Sequence, residues 1–151
     1  MSNLARRGVI VGTIAAGGAL GALARYAVAR AVPADTGQFP WSTFAVNVSG
    51  SAALGVLLTV VVERMRGHPL LRPALGTGVL GAFTTFSTMT VDTALLGRAG
   101  HVATAALYLV ATVAAGLAAL TAGMLATRAA LGVHERHPDE LVAHDVDLVD
   151  L

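Results

Sequence analysis

The feature that most constrains this chain is a polar interruption inside an apolar segment. Between Gly78 and Met89 the sequence reads GVLGAFTTFSTM, within an apolar segment over residues 73–96. About 20 apolar residues are enough to cross a bilayer. Hydroxyls and glycines weaken a helix and expose backbone polar groups, which hydrocarbon does not tolerate unless protein or a water-filled path covers them. The pattern therefore predicts a broken membrane helix that opens to handle an ion.

The composition indicates an integral membrane protein. Hydrophobic residues make up 55% of the chain and charged residues 13%, with a mean hydropathy of +0.70, which lies outside the range of soluble domains. The net charge is +1 and the chain has no lysine, so it offers no basic patch for nucleic acid. It has no cysteine, which excludes a disulfide framework and a thiolate metal site.

Apolar segments over residues 8–31, 41–62, 73–96 and 102–127 are each long enough for a membrane helix. Short polar loops connect them. The sequence thus predicts an all-α membrane protein in which residues 1–130 form one domain of four transmembrane helices, the third of them broken.

Residues 131–151 form an acidic tail, in which Arg136 is the sole arginine among several carboxylates. We predict that this tail is solvated and disordered. A loose metal site built from its three histidines is the alternative.

Arginines are distributed unevenly between the two sides of the predicted bundle. The side that holds both termini and the loop after the second span carries seven, and the other side carries three. The positive-inside rule then places both termini in the cytoplasm. The seven are Arg6, Arg7, Arg64, Arg66, Arg72, Arg128 and Arg136, and the three are Arg25, Arg30 and Arg98.

Two spans carry mostly uncharged polar residues at intervals of four, which places each set on one helix face. The sets are Thr43, Asn47 and Ser51 in the second span, and Thr104, Tyr108, Thr112 and Gly116 in the fourth. Burying the Asn47 amide in lipid without a partner would cost on the order of 2–7 kcal/mol, so it must face protein or water. An interhelical hydrogen bond is one interpretation of Asn47, and a hydrogen-bonding path for an ion is the other.

The first span combines a packing motif with a charge. Gly17 and Gly21 form a small-xxx-small pair, which lets two membrane helices approach closely. Arg25 follows one turn later. Either its side chain extends to the membrane interface, or it caps carbonyl groups or sets a positive potential near an anion entrance.

Asp, Glu, Lys and His are missing from the middle of every predicted span, and Asp92, near the end of the third, comes closest. A proton-coupled exporter needs such a group within the membrane. A hydrolase needs a nucleophile with a base, or a metal cluster. The sequence therefore favours a passive pathway and a protein that is not an enzyme.

Together these residues resemble the Fluc (CrcB) family of bacterial fluoride channels. The resemblance covers residues 17–123 and rests on GGALGALARY at 17–26, TFAVNVSGS at 43–51, GAFTTFSTMTVD at 81–92, and Tyr108 with Thr112 one turn later. It implies a fluoride-selective channel in the bacterial inner membrane that exports fluoride passively and relieves fluoride toxicity.

The resemblance also implies an assembly. Each four-helix subunit pairs with a second subunit in the opposite membrane orientation, which gives an antiparallel, dual-topology dimer with two fluoride paths. A structural sodium ion at the dimer centre is held by backbone carbonyls of the broken helix, which fall on Gly81 and Thr84 here. Carbonyl oxygens of an unwound helix suit such a hard cation.

The family's fluoride path, carried over by motif, includes phenylalanine rings whose electropositive edges face the anion. This chain departs from the family pattern at Met89, where the family has a second phenylalanine, and at Gly116, which has no hydroxyl. The path residues that the resemblance assigns are Thr43, Asn47, Phe86, Met89, Tyr108 and Thr112.

Two other functions are compatible with four short helices. A small multidrug-type, proton-coupled exporter would need a membrane carboxylate in the first span, which this chain lacks. A non-conducting partner subunit of a heteromeric channel would account for Met89 and Gly116. The partner is accordingly an identical chain or a second subunit of the same family.

Overall fold

The computed structural model describes residues 3–33, 37–63 and 70–132, and every regular element within these ranges is a helix. The predicted tail, apart from its first two residues, lies outside the described ranges. The elements are α1 (Asn3–Ala31), α2 (Trp41–Glu63), α3 (Arg72–Leu80 continuing as Gly81–Phe83), α4 (Phe86–Arg98) and α5 (Val102–Leu131).

Four helical segments of the described chain are long and apolar enough to cross a membrane, which confirms the prediction of four spans. They are Leu4–Ala31, Trp41–Val61, Arg72–Arg98 and Val102–Leu131. The third of these segments contains both α3 and α4. Many large apolar side chains on the spans are exposed in the single chain, as expected for helices that meet lipid or another subunit.

Helix α1 packs directly on the backbone of α3. A Cβ at Gly17 would overlap the carbonyl oxygen of Ala74, and a Cβ at Gly21 would overlap that of Val79. On the opposing helix, a Cβ at Gly78 would lie 3.1 Å from the Cα of Gly17. Only glycine permits so close an approach, which confirms that Gly17 and Gly21 form a helix-packing motif.

Helices α2 and α5 meet in the same way at a second crossing. A Cβ at Gly55 would overlap the carbonyl oxygen of Leu120, and one at Gly123 would press on the carbonyl oxygen of Ala52. Backbone contact at this crossing fixes the distance between the two helices that carry the predicted polar stripes.

The third span changes geometry along its length. It is π-helical over Arg72–Leu80, and the N–H of Gly81 reaches back to the carbonyl of Gly76, five residues earlier. Most π-helical segments are single turns, and they are frequent at functional sites. At Thr84 (ψ 156°) and Thr85 (φ −150°, ψ 115°) the backbone is extended.

The extended residues let the two parts of the third span follow different neighbours. Helix α3 packs against α1, and α4 packs against α5. The new helix α4 starts with a side-chain cap, because the hydroxyl oxygen of Thr85 accepts a hydrogen bond of 3.1 Å from the N–H of Thr88.

The glycine contact between α1 and α3 gives a stability prediction. Gly21→Ala forces a methyl group into the backbone of Val79, and overpacking of this kind costs about 1–3 kcal/mol. We expect a lower thermal unfolding midpoint for the variant in detergent. Gly18→Ala is the matched control, because nothing lies within 4 Å of its Cβ position. Equal midpoints for the two variants would contradict the packing described above.

Candidate functional site

The extended residues of the third span border a cleft of about 380 Å³ between α2, α3, α4 and α5. Its lining combines glycine backbone, aliphatic side chains and uncharged polar groups. Among the described residues that line it, none is charged. The predicted site residues that the cleft brings together are Asn47, Gly81, Thr84, Phe86, Met89 and Thr112.

The Asn47 amide pairs with both backbone polar groups of Thr85 in the third span. Its Nδ2 donates to the carbonyl oxygen of Thr85 at 3.0 Å, and the N–H of Thr85 donates to Asn47 Oδ1 at 2.8 Å. Thr85 is buried and its backbone is extended, so without this pair its peptide groups would lack helical partners. The interhelical hydrogen bond is thus observed. An amide carries a second N–H hydrogen, which remains for a ligand in the cleft.

The interruption of the helix frees backbone carbonyls of the third span, those of Gly81 and Thr84 among them. In a continuous α-helix the N–H of Thr85 would bond to the carbonyl of Gly81, but it donates to Asn47 instead. The N–H of Thr88 would bond to the carbonyl of Thr84, but it donates to the Thr85 hydroxyl. The carbonyls of Gly81 and Thr84 therefore lose the donors that a helix would give them. Oxygen atoms of this kind are ligands that a hard cation prefers.

Thr43 and Tyr108 lie away from this cleft and meet at a carboxylate. Asp92 Oδ2 accepts a hydrogen bond of 2.8 Å from Thr43 Oγ1 and one of 3.3 Å from the Tyr108 hydroxyl. Tyr108 is fully buried and Thr43 is 7% exposed. The cluster ties α2, α4 and α5 together.

Sequence reasoning noted Asp92 as the nearest titratable group and gave it no role. Periodicity shows that Thr43 and Tyr108 lie on polar helix faces, but it does not show which acceptor they share. One feature of the sequence could have indicated this cluster. A carboxylate near a membrane needs hydrogen-bond donors, and these two hydroxyls are candidates on neighbouring helices.

Arg25 lines a second cleft, of about 340 Å³, together with Tyr26 and the hydroxyl-bearing residues Thr43, Thr85 and Thr88. The arginine is half-buried in the single chain. Thr85 borders both clefts, so the extended part of the third span separates the arginine from the uncharged lining.

Phe86 and Met89, the two residues at the family's phenylalanine positions, lie in different environments. The ring of Phe86 is 74% exposed, whereas Met89 is 3% exposed and packs in a core with Leu96, Ala105 and Tyr108. Met89 therefore fills space inside the subunit, while the edge of the Phe86 ring is accessible at the cleft.

Two other hydroxyls of the site donate hydrogen bonds to backbone carbonyls of their own helices. Thr112 Oγ1 donates to the carbonyl of Tyr108 at 2.7 Å, and Thr84 Oγ1 donates to the carbonyl of Leu80 at 2.9 Å. Such back-bonding is common for threonine in membrane helices. It occupies the hydroxyl hydrogens and leaves only the oxygens facing the cleft.

The Asp92 cluster gives a prediction that does not depend on transport. Asp92→Ala removes the acceptor and leaves the buried Tyr108 hydroxyl unpaired, which costs about 1–3 kcal/mol. We expect the thermal midpoint in detergent to fall. Thr90→Ala, on the same helix, serves as control because Thr90 is exposed and bonds only to the carbonyl of Phe86. Unchanged stability of Asp92→Ala would show that the cluster contributes little.

Comparison with known proteins places the chain in a family. The family model described as CrcB-like protein, Camphor Resistance (CrcB), matches residues 12–124. The chain is 52% identical over 103 residues to "Fluoride-specific ion channel FluC 2" of Streptomyces avermitilis, and the match covers 68% of this chain and 65% of that protein.

Two further relatives match over more of their length. The chain is 50% identical over 121 residues to "Fluoride-specific ion channel FluC 1" of Streptomyces coelicolor, covering 80% of this chain and 77% of the relative. It is 46% identical over 123 residues to "Fluoride-specific ion channel FluC 2" of Nocardia farcinica, covering 82% and 88%. The chain therefore belongs to the CrcB-like, or Fluc, family of ion channels, and it is not an enzyme.

Proposed function

We propose that this protein is a fluoride-selective channel that exports fluoride passively across the bacterial plasma membrane and so relieves fluoride toxicity. The observation that carries the proposal is the uncharged cleft beside the extended part of the third span. The names of its relatives supply the identity of the anion.

The lining suits a small, tightly hydrated anion. Fluoride must exchange its water for protein groups, and the cleft offers the second N–H of Asn47 and the ring edge of Phe86. A full positive charge in the path would hold the anion too firmly to conduct, whereas weak, repeated sites favour passage. Arg25 lines the other cleft, where its charge attracts an anion without trapping it beside Asn47.

The uncharged lining of the cleft supports passive transport. Proton coupling needs a titratable group in the path. Asp92 accepts hydrogen bonds from Thr43 and Tyr108 and is not among the residues that line the uncharged cleft. A small multidrug-type exporter is therefore the less favoured alternative.

We propose further that the subunit pairs in opposite orientation with a second subunit around a structural sodium ion. The carbonyls of Gly81 and Thr84, which have lost their helical donors, are the groups that would hold it. Gly81 and Phe86 are exposed in the single chain, in keeping with a surface that a partner covers. The sodium would bind these carbonyl oxygens and so hold the two subunits together.

Flux through purified protein tests the proposed function. Fluoride efflux from proteoliposomes should need only a gradient and a charge-balancing ionophore. Chloride should pass very poorly, because the lining has no positive charge that would attract every anion alike. A fluoride electrode measures the rate. Equal rates for both halides would overturn the proposal. Flux that arises only after addition of a second family subunit would instead make this chain a partner in a heteromeric channel.

Two substitutions test the assigned residues. Asn47→Asp removes the donor to the Thr85 carbonyl and places a negative charge beside the cleft, which repels an anion 4 Å away by about 4 kcal/mol at an effective dielectric of about 20. Phe86→Ile removes the ring edge but keeps apolar bulk. Both should abolish fluoride flux. Asn47→Asp still accepts from the Thr85 N–H but loses the donor to the Thr85 carbonyl, so size-exclusion chromatography must show that each variant assembles.

The control for these variants is Thr121→Ala, because Thr121 is exposed and bonds only to carbonyls of its own helix. It should keep the flux of the unmodified protein. Normal flux in Asn47→Asp and Phe86→Ile would assign both residues to packing.

A further inference from the structure

The polar face of α5 has a gap at Gly116. This residue lies one turn after Thr112, is buried, and lines the uncharged cleft. Glycine offers no side-chain donor, so α5 by itself supplies no hydroxyl at this level.

Ser51 of α2 faces the gap. Its Oγ lies 3.3 Å from the position that a Cβ on Gly116 would occupy, and both residues line the same cleft. The contact is tighter than ordinary van der Waals packing. The small size of Gly116 therefore makes room for the Ser51 hydroxyl, which stands where a side chain from α5 would begin.

The Ser51 hydroxyl also differs from its neighbours in its hydrogen bonding. Hydroxyls on these helices commonly bond to the carbonyl four residues earlier, as Ser49 does to Ala45 at 2.6 Å and Thr59 to Gly55 at 3.0 Å. Ser51 Oγ makes no hydrogen bond to any other residue that the structure describes. Within the described chain no buried side-chain oxygen or nitrogen lacks a partner, so Ser51 Oγ is open to the cleft.

We propose that Ser51 belongs to the fluoride path and supplies the hydroxyl that Gly116 lacks. The path then takes two donors from α2, the Asn47 amide and, one turn later, the Ser51 hydroxyl. A serine hydroxyl has one O–H donor, and at Ser51 no protein acceptor competes with an anion for it. This inference rests on the proposed function, and it makes the departure at Gly116 a change of donor helix and not a loss of the site.

A set of variants in proteoliposomes tests the inference. Ser51→Ala should lower fluoride flux about tenfold, the effect of losing one hydrogen bond to a charged group. Ser51→Cys, which nearly keeps the volume but donates weakly, should do the same. The control is Ser49→Ala, which removes a hydroxyl of the same helix that is bonded to Ala45 and should leave flux unchanged.

Reciprocal rescue separates a donor from a packing contact. In the Ser51→Ala background the space beside Gly116 is relieved, so Gly116→Ser should restore most of the flux by returning a hydroxyl from α5. Gly116→Ala in the same background fills the space without a donor and should leave flux low.

Each outcome has a definite meaning. Fluoride flux in the unmodified protein with equal flux in Ser51→Ala would overturn this inference and leave the proposed function intact. Rescue by both Gly116→Ser and Gly116→Ala, or a Ser51→Ala protein that does not fold, would assign Ser51 to packing and overturn it as well. Absence of flux in the unmodified protein would overturn the proposed function and this inference together.

Discussion

The structure depends on the pair of hydrogen bonds between the Asn47 side chain and the peptide groups of Thr85. An interrupted helix inside a membrane leaves backbone donors and acceptors that lipid cannot satisfy. One amide satisfies both groups of Thr85, because its oxygen accepts from the N–H and its nitrogen donates to the carbonyl. Hydrogen bonds from a side chain of the neighbouring helix α2 thereby replace those that the third span loses where it is interrupted.

The interruption determines how the bundle is packed. Since the chain turns at Thr84 and Thr85, α3 can lie in glycine contact with α1 while α4 turns toward α5. A continuous helix would have to follow one direction along its whole length. The direction of α4 is fixed by Asp92, whose carboxylate accepts hydrogen bonds from hydroxyls of both α2 and α5.

The same arrangement separates charge from the uncharged lining. Asp92 is held by two hydroxyls, and Arg25 lines the cleft on the other side of Thr85. The groups that line the cleft beside the interruption are an amide, an aromatic ring, hydroxyls, apolar side chains and glycines. In a medium of low dielectric, uncharged donors of this kind bind an anion weakly enough for it to leave again. An ionised group of positive charge would bind it too tightly for conduction.

The sequence by itself determined the four spans, the Gly17–Gly21 packing motif and the family, because these follow from local features: apolar length, residue size and motif order. It also placed Asn47 and Thr43 on one helix face, since periodicity fixes direction. Periodicity does not choose partners. That Asn47 pairs with Thr85, that Thr43 and Tyr108 meet at Asp92, and that Ser51 faces Gly116 was decided by the tertiary structure, because these distances depend on how separate helices cross.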